Sequence, residues 1–370
     1  MLPNKNIQQL SPYISIPHKI WNLSNKKNIL KLDWNEASIP PSPYVIKAIN
    51  NFLSNGHLNW YPNTKNLVLL DELANYCNQK DSSYIEIFPS SDAAHECILD
   101  VFLEKNDKVC IVAPTYDNFR ARANDVGIQT VIYPLDENFD LDFNKLEYFI
   151  KDKNIKLLYL CNPNNPTGKA YNIEKIKDLI INNDNTIFLI DEAYYEFCNK
   201  SVEDIVWQCK NLIITRTFSK AFALASFRIG YVISHYENIK ALNKLRNPKN
   251  ISMLSQVAAF AALKDLAYTK SYVNEVTLAR EEFLSFLKHF SIANSGGGGY
   301  EMDYYPSMAN FILIKIKNVS LFCNFLQERD IFIRSYSHII KDHCRISIGT
   351  REQMKIVAKN MQEFNKVNNH

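Results

Sequence analysis

The opening stretch MLPNKNIQQLSPY has no apolar core of the kind a secretory signal peptide needs. Nowhere in the chain does an apolar run reach the ~18 residues that would suggest a membrane-spanning helix. The cysteines are Cys77, Cys97, Cys110, Cys161, Cys198, Cys209, Cys323 and Cys344. No two form a C-x-x-C pair, and most sit inside apolar runs. That pattern excludes a zinc-type ligand spacing and a disulfide framework, and points to reduced, mostly buried thiols. An excess of one charge is also lacking: the formal net charge is +3. So small a balance gives no sign of a nucleic-acid or acidic-membrane partner, and any basic pocket must be local. Internal repeats are absent, and the one low-complexity patch, Gly296 to Gly299, reads as a flexible loop. The expectation is a cytoplasmic protein with small-molecule partners, no nucleic acid, no membrane and no metal.

What is present suits an α/β protein of two domains. At 370 residues the chain is too long for one simple core, and 46% hydrophobic residues are ordinary for a globular protein. Residues 1–45 are rich in Pro, Asn and Ser and read as an arm. Across 46–247, short apolar runs alternate with helical stretches. The candidate strands are 85–88, 109–112, 130–133, 156–160, 186–190, 212–215 and 231–233. Several are continuous runs of Ile, Val and Leu, as in strands buried on both faces. Between two of them Ala94, Cys97, Ile98, Val101 and Phe102 fall at helical spacing. Strands alternating with helices imply a large, mostly parallel seven-stranded sheet with helices on both sides. Residues 248–370 change character. A long helical stretch over 254–290 is followed by strands at 310–316, 331–334 and 345–348 and a helix at 321–328, a smaller α+β domain.

Five polar clusters sit at the ends of candidate strands, where open α/β sheets bind ligands. Thr217-Phe218-Ser219-Lys220, with Arg228 eight residues on, combines an amine that can form a Schiff base with hydroxyls and a guanidinium suited to a phosphate. Taken alone, Ser-Lys is more often a surface lysine in a polar turn. Asn162-Pro163-Asn164-Asn165-Pro166-Thr167-Gly168 makes a rigid loop in which Asn165 can hold a fixed hydrogen bond, although any such stretch can be a plain turn. Asp191-Glu192-Ala193-Tyr194 ends an apolar strand, so Asp191 is either a helix cap or a buried carboxylate needing a cationic partner. Ser90-Ser91-Asp92 precedes a helix whose amides could bind phosphate or simply be capped. Tyr116, in Pro114-Thr115-Tyr116, could stack on a flat ring or sit in a loop.

In this order and spacing, the Asn-Pro-Asn-Asn-Pro-Thr-Gly, Asp-Glu-Ala-Tyr and Thr-Phe-Ser-Lys-Ala-Phe…Arg-Ile-Gly-Tyr segments resemble the fold-type-I pyridoxal-phosphate (PLP) enzymes. The likeness is greatest to the histidinol-phosphate aminotransferase-like family, and it spans about residues 32–350. The resemblance implies pyridoxal 5'-phosphate as cofactor and Lys220 as its Schiff-base lysine. It implies that Asp191 pairs with the pyridinium nitrogen. Asn165 and Tyr194 would bond the ring oxygen, and Tyr116 would stack on the ring. Ser91, Asp92, Thr217, Ser219 and Arg228 would surround the phosphate. Tyr61, in Trp60-Tyr61-Pro62, would reach the cofactor phosphate of the neighbouring subunit, which makes the active unit a homodimer. Arg345 and Arg334 match arginines that bind a substrate carboxylate or phosphate. Tyr13 and Asn35 match residues that close over the site.

Departures from the family pattern lie elsewhere. Asn35-Glu36 is followed by Ala37-Ser38-Ile39-Pro40 where Asn, Pro and Gly are usual. The phosphate loop reads Ser90-Ser91-Asp92-Ala93, and Gly296–Gly299 resembles an insertion. These positions cluster where substrate is read and leave the particular substrate open. The expected reaction is amine transfer between an amino-acid donor, glutamate, and a small phosphorylated carbonyl compound. A decarboxylase of a phosphorylated amino acid would share the fold, the lysine, the aspartate and the arginines. The two differ in which Cα bond stands perpendicular to the cofactor ring.

Overall fold

A computed structural model of the chain describes residues 3, 7–8 and 19–368, apart from 25, 27, 126 and 295–301. Among the described residues the strands are β1 (Leu30–Leu32), β2 (Ile85–Phe88), β3 (Lys108–Ala113), β4 (Gln129–Pro134), β5 (Leu157–Cys161), β6 (Ile187–Asp191), β7 (Leu212–Thr217), β8 (Gly230–Ser234), β9 (Met302–Tyr305), β10 (Phe311–Ile316), β11 (Ile331–Ser335) and β12 (His343–Ser347). They form two sheets. The larger has the order β2-β8-β7-β6-β5-β3-β4, and β8 alone runs against its neighbours. Its seven strands are the seven expected from the apolar runs.

The runs are continuous because both faces of this sheet are covered. Along β5, Leu158 and Leu160 pack into the core on one face, while Leu157, Tyr159 and Cys161 pack into the core on the other. The same alternation splits Leu212 and Ile214 of β7 from Ile213. The helix Ser91–Phe102 lies on the second face and buries Ala94, Cys97 and Ile98, as its spacing predicts, together with His95 and Leu99.

The smaller sheet has the order β1-β11-β12-β10-β9, with β1 parallel to β11 and the remaining pairs antiparallel. Strand β1 arises from the stretch read as an arm. Three residues carry no legible period, and pairing with β11 is what makes them a strand. Strand β9 was also not anticipated. The helical stretch expected over 254–290 is two helices, Met253–Lys264 and Leu266–Asn294, separated at Asp265. The first packs with Val45 and Leu73 in a core of the large sheet through Ala258, Ala259 and Ala262. The second sends Tyr272, Val276, Ala279 and Phe283 into the core of the smaller sheet. The break at Asp265, which Ser42 Oγ hydrogen-bonds, lets one helical stretch serve two cores.

Gly230 opens β8 where two backbones meet. A Cβ there would lie 2.8 Å from the Arg216 carbonyl oxygen and 2.8 Å from the Ser91 amide nitrogen. Its absence lets the Ser90-Ser91 turn sit directly on the sheet end. Ser90 takes φ 108°, a region that costs a residue with a side chain about 1–3 kcal/mol, and its hydroxyl accepts from the Ala93 N–H. Gly230→Ala is expected to cost about 1–3 kcal/mol by overpacking, read from the denaturant midpoint. It should also displace the Ser91 amide.

Candidate active site

The ends of β3, β5, β6 and β7 and the start of the helix after β2 converge on one cleft of about 550 Å³. Ser91, Asp92, Tyr116, Asn165, Asp191, Tyr194, Thr217, Ser219, Lys220, Arg228, Arg334, Arg345 and Asn35 all line it. Of the described site residues expected, Tyr61 does not. Tyr61 is 78% exposed and lies elsewhere on the surface, with Lys249 Nζ 4.6 Å from its ring centre. Tyr13 lies outside the described residues, as does the Gly296–Gly299 loop.

Asp191 ends β6 and is 3% exposed. Burial pushes its carboxyl pKa up, and His95 and Tyr159 oppose that rise. Tyr159, on the adjacent β5, donates its hydroxyl to Asp191 Oδ2 at 2.7 Å, and the Ala193 N–H donates to Oδ1 at 3.1 Å. His95 Nε2 stands 3.9 Å from Oδ2 and 2.9 Å from Thr215 Oγ1 of β7. Ser91 and His95 are four residues apart, so one helix face carries both the turn at the cleft and the imidazole behind Asp191.

Lys220 follows β7 by three residues. Its amine donates to the Trp34 carbonyl at 2.9 Å, and desolvation, with Arg345 and Lys31 adding to it, lowers its pKa to about 8 against the pull of Glu36 and Asp92. Asn35 Nδ2 donates to the Tyr194 hydroxyl at 3.0 Å. Asn35 is held in place because Ser347 Oγ donates to its Oδ1 and accepts from its N–H, both at 2.9 Å, while Asn310 bonds its carbonyl. Across the cleft the Ser219 N–H donates to Thr217 Oγ1 at 3.1 Å, and Arg228 Nη2 stands 3.8 Å from Asp92 Oδ2.

Besides Arg228, two buried guanidiniums line the cleft. Arg345, 3% exposed, donates through Nη1 to Asn165 Oδ1 at 2.5 Å and to the Tyr336 hydroxyl at 3.0 Å, and through Nη2 to the Asp33 carbonyl at 2.6 Å. All three acceptors are neutral, and its Nε–H is unmatched among the described residues. Arg334, 8% exposed, lies 6.0 Å from the Trp34 ring centre and 5.9 Å from that of Tyr336. Neither arginine has a carboxylate within ion-pair distance among the described residues.

Behind the cleft, Arg216 of β7 is fully buried. It pairs with Glu192 at 2.8 Å and Glu203 at 2.6 Å, takes Ser201 as a further acceptor, and stacks 3.5 Å from the Tyr195 ring centre. This cluster joins the strand leading to Lys220 to the turn after Asp191.

The family model for aminotransferases of class I and II matches residues 27–361. A dihydroxyacetone phosphate transaminase of Campylobacter jejuni is 66% identical over 99% of this chain and 98% of its own. A histidinol-phosphate aminotransferase of Ruminiclostridium cellulolyticum is 34% identical over 91% of this chain and 93% of its own. Among solved structures, a putative histidinol-phosphate aminotransferase from Erwinia carotovora superposes with a TM-score of 0.83 at 25% identity, covering 91% of this chain and 96% of that one. The chain belongs to the class I and II aminotransferases. This aminotransferase is a PLP-dependent enzyme of fold type I, as its sequence motifs implied.

Sequence reasoning missed Trp34, Glu36, His95, Tyr159, Tyr336 and the Arg216 cluster. His95 and Tyr159 sit on apolar, periodic segments and read there as core residues. Tyr336 follows a strand with no motif around it. Tyr159→Phe removes a donor to a buried carboxylate and should cost the aminotransferase about 1.5–3 kcal/mol in the apo form at neutral pH. The loss should shrink as pH falls through the Asp191 titration, because the donor favours the charged carboxylate. Urea midpoints of both proteins at two pH values check this.

Proposed function

We propose that the enzyme transfers an amino group from glutamate to a small phosphorylated ketone, dihydroxyacetone phosphate, with PLP held by Lys220. The observation that carries the acceptor is the pair of buried, carboxylate-free guanidiniums that line the cleft with Lys220. A buried cation without a counter-charge is costly and favours a bound anion. The 66% identity to a dihydroxyacetone phosphate transaminase supports the same acceptor.

The residues present fit the cofactor. The Ser91 and Asp92 amides at a helix N-terminus, the Thr217 and Ser219 hydroxyls and Arg228 offer donors for its phosphate. Asp191, buried and oriented by Tyr159, offers a carboxylate for its ring nitrogen. In this reading Asn165 and Tyr194, which line the same cleft, bond the ring oxygen, and Tyr116 stacks on its face.

PLP bound there supplies an electron sink next to the reacting carbon. Lys220, with its amine pKa near 8, holds the cofactor and, once displaced by donor, is free to take the substrate Cα proton and return it to the neighbouring carbon. Asp191 keeps the ring nitrogen protonated. Arg345 binds the donor's α-carboxylate. Arg334 binds either the donor's second carboxylate or the acceptor's phosphate, so one site serves both halves of the reaction.

The working unit in this reading is a homodimer, with Tyr61 of one protomer reaching the cofactor phosphate of its partner. The exposed apolar residues Leu58, Trp60, Tyr61, Leu67 and Val68 support a covered face there. Eight free thiols suit a reducing, cytoplasmic setting.

Adding excess L-glutamate to the loaded enzyme should bleach the visible cofactor band to the pyridoxamine form, and dihydroxyacetone phosphate should restore it. A band that glutamate leaves unchanged would overturn the donor, and full-rate transfer by Lys220→Ala would overturn the mechanism. Capture of free PLP by the apo-protein needs the neutral amine. Because the Lys220 pKa is lowered, its rate should rise with pH to a midpoint near 8, well below the 10.5 of an ordinary lysine. Stopped-flow absorbance across pH reads that midpoint.

A further inference from the structure

Trp34 lines the cleft but belongs to none of the groups placed around the cofactor. Its backbone and its side chain each neighbour a different cation of the cleft. The carbonyl accepts from Lys220 Nζ at 2.9 Å, and the indole centre lies 6.0 Å from the Arg334 guanidinium. The reacting amine and the anion-binding cation are therefore both neighbours of a single residue, and its side chain lines the cleft together with them.

The indole is also held firmly. Lys31 Nζ lies 5.4 Å from the ring centre, so the ring has two cationic neighbours, Lys31 and Arg334. Lys31 is itself tied to Asp33 at 2.8 Å and to Glu36. The next residue, Asn35, is anchored to Ser347 and Asn310. A substrate that needed more room would have to move a ring flanked by two cations on an anchored backbone segment.

We infer that the Trp34 indole sets the spacing between the reacting carbon and the phosphate, so that the site selects ketones phosphorylated on the carbon next to the carbonyl. This rests on the proposed phosphorylated-ketone acceptor and adds to it a rule for which such ketones are taken. A ketone whose phosphate sits one or two methylenes further away meets the indole before its phosphate reaches Arg334 in register with Lys220.

The test uses the loaded dimeric enzyme converted to the pyridoxamine form with glutamate. Three acceptors differ only in spacing: 2-oxopropyl, 3-oxobutyl and 4-oxopentyl phosphate. Recovery of the visible band gives kcat/KM for each. The wild type should lose roughly tenfold or more per added methylene. Trp34→Ala keeps the backbone carbonyl and should flatten that series, and Trp34→Phe should fall between. Unreactive propyl and pentyl phosphates, titrated calorimetrically into the PLP form, give a readout independent of turnover. Propyl phosphate should bind the wild type more tightly, and the preference should vanish in Trp34→Ala.

A wild-type series that is flat overturns the proposal, as does a Trp34→Ala enzyme that loses all three acceptors in equal proportion while its melting temperature is unchanged. If the wild type accepts none of the ketones yet still reacts with glutamate, the acceptor reading has failed. The alkyl phosphates then decide Trp34 on its own: a length preference that Trp34→Ala abolishes upholds its role, and equal binding of both lengths overturns it.

Discussion

A carboxylate buried at the end of the central strand of a sheet must be compensated from its neighbours, and Asp191 sets that demand here. Its strand lies between β5 and β7, in register with Cys161 on one side and Thr215 on the other. Compensation comes from those strands and from the helix over them: Tyr159 from β5, and His95 from the helix, itself bonded to Thr215. The helix that brings His95 also begins at the Ser90-Ser91 turn, which Gly230 allows to sit against the sheet. One buried charge thus ties together three strands, a helix and the Ser90-Ser91 turn at the cleft.

The opposite charge is handled in the opposite way. Arg216 is neutralised within the fold by Glu192 and Glu203, and it braces the strand before Lys220. Arg345 and Arg334 are left with neutral oxygens and aromatic rings. The same residue type is neutralised where carboxylates surround it and is left without a counter-charge, among the described residues, at these two positions in the cleft. Desolvation, with the charges of Arg345 and Lys31, also holds the Lys220 amine below its usual range. A chain with a net charge of only +3 thus gathers four cationic side chains, Lys220, Arg228, Arg334 and Arg345, in one cleft with three carboxylates, Glu36, Asp92 and Asp191.

Much of this was legible from the residues in order. Strands buried on both faces announce themselves as apolar runs, and the polar clusters following them mark the sheet's ligand-binding edge. Thirteen of the fifteen anticipated site residues line one cleft; Tyr61 lies outside it, and Tyr13 is not among the described residues. The break at Asp265 was not legible, because apolar helical spacing continues across it while the face it serves changes from one core to another. Strand β1 was not legible, because three residues have no period of their own.

Local sequence determined the strands, the polar clusters at their ends and, through three specific segments, the family and its cofactor. Those features depend on near neighbours in the chain, so they can be read in order. The tertiary structure alone decided which charges are paid for by partners and which are left open. His95 and Tyr159 stand behind Asp191, and Trp34 neighbours both Lys220 and Arg334, through contacts that span from 32 to 300 positions along the chain. No local pattern encodes such contacts, because a buried polar side chain obeys the same periodicity as the apolar residues around it.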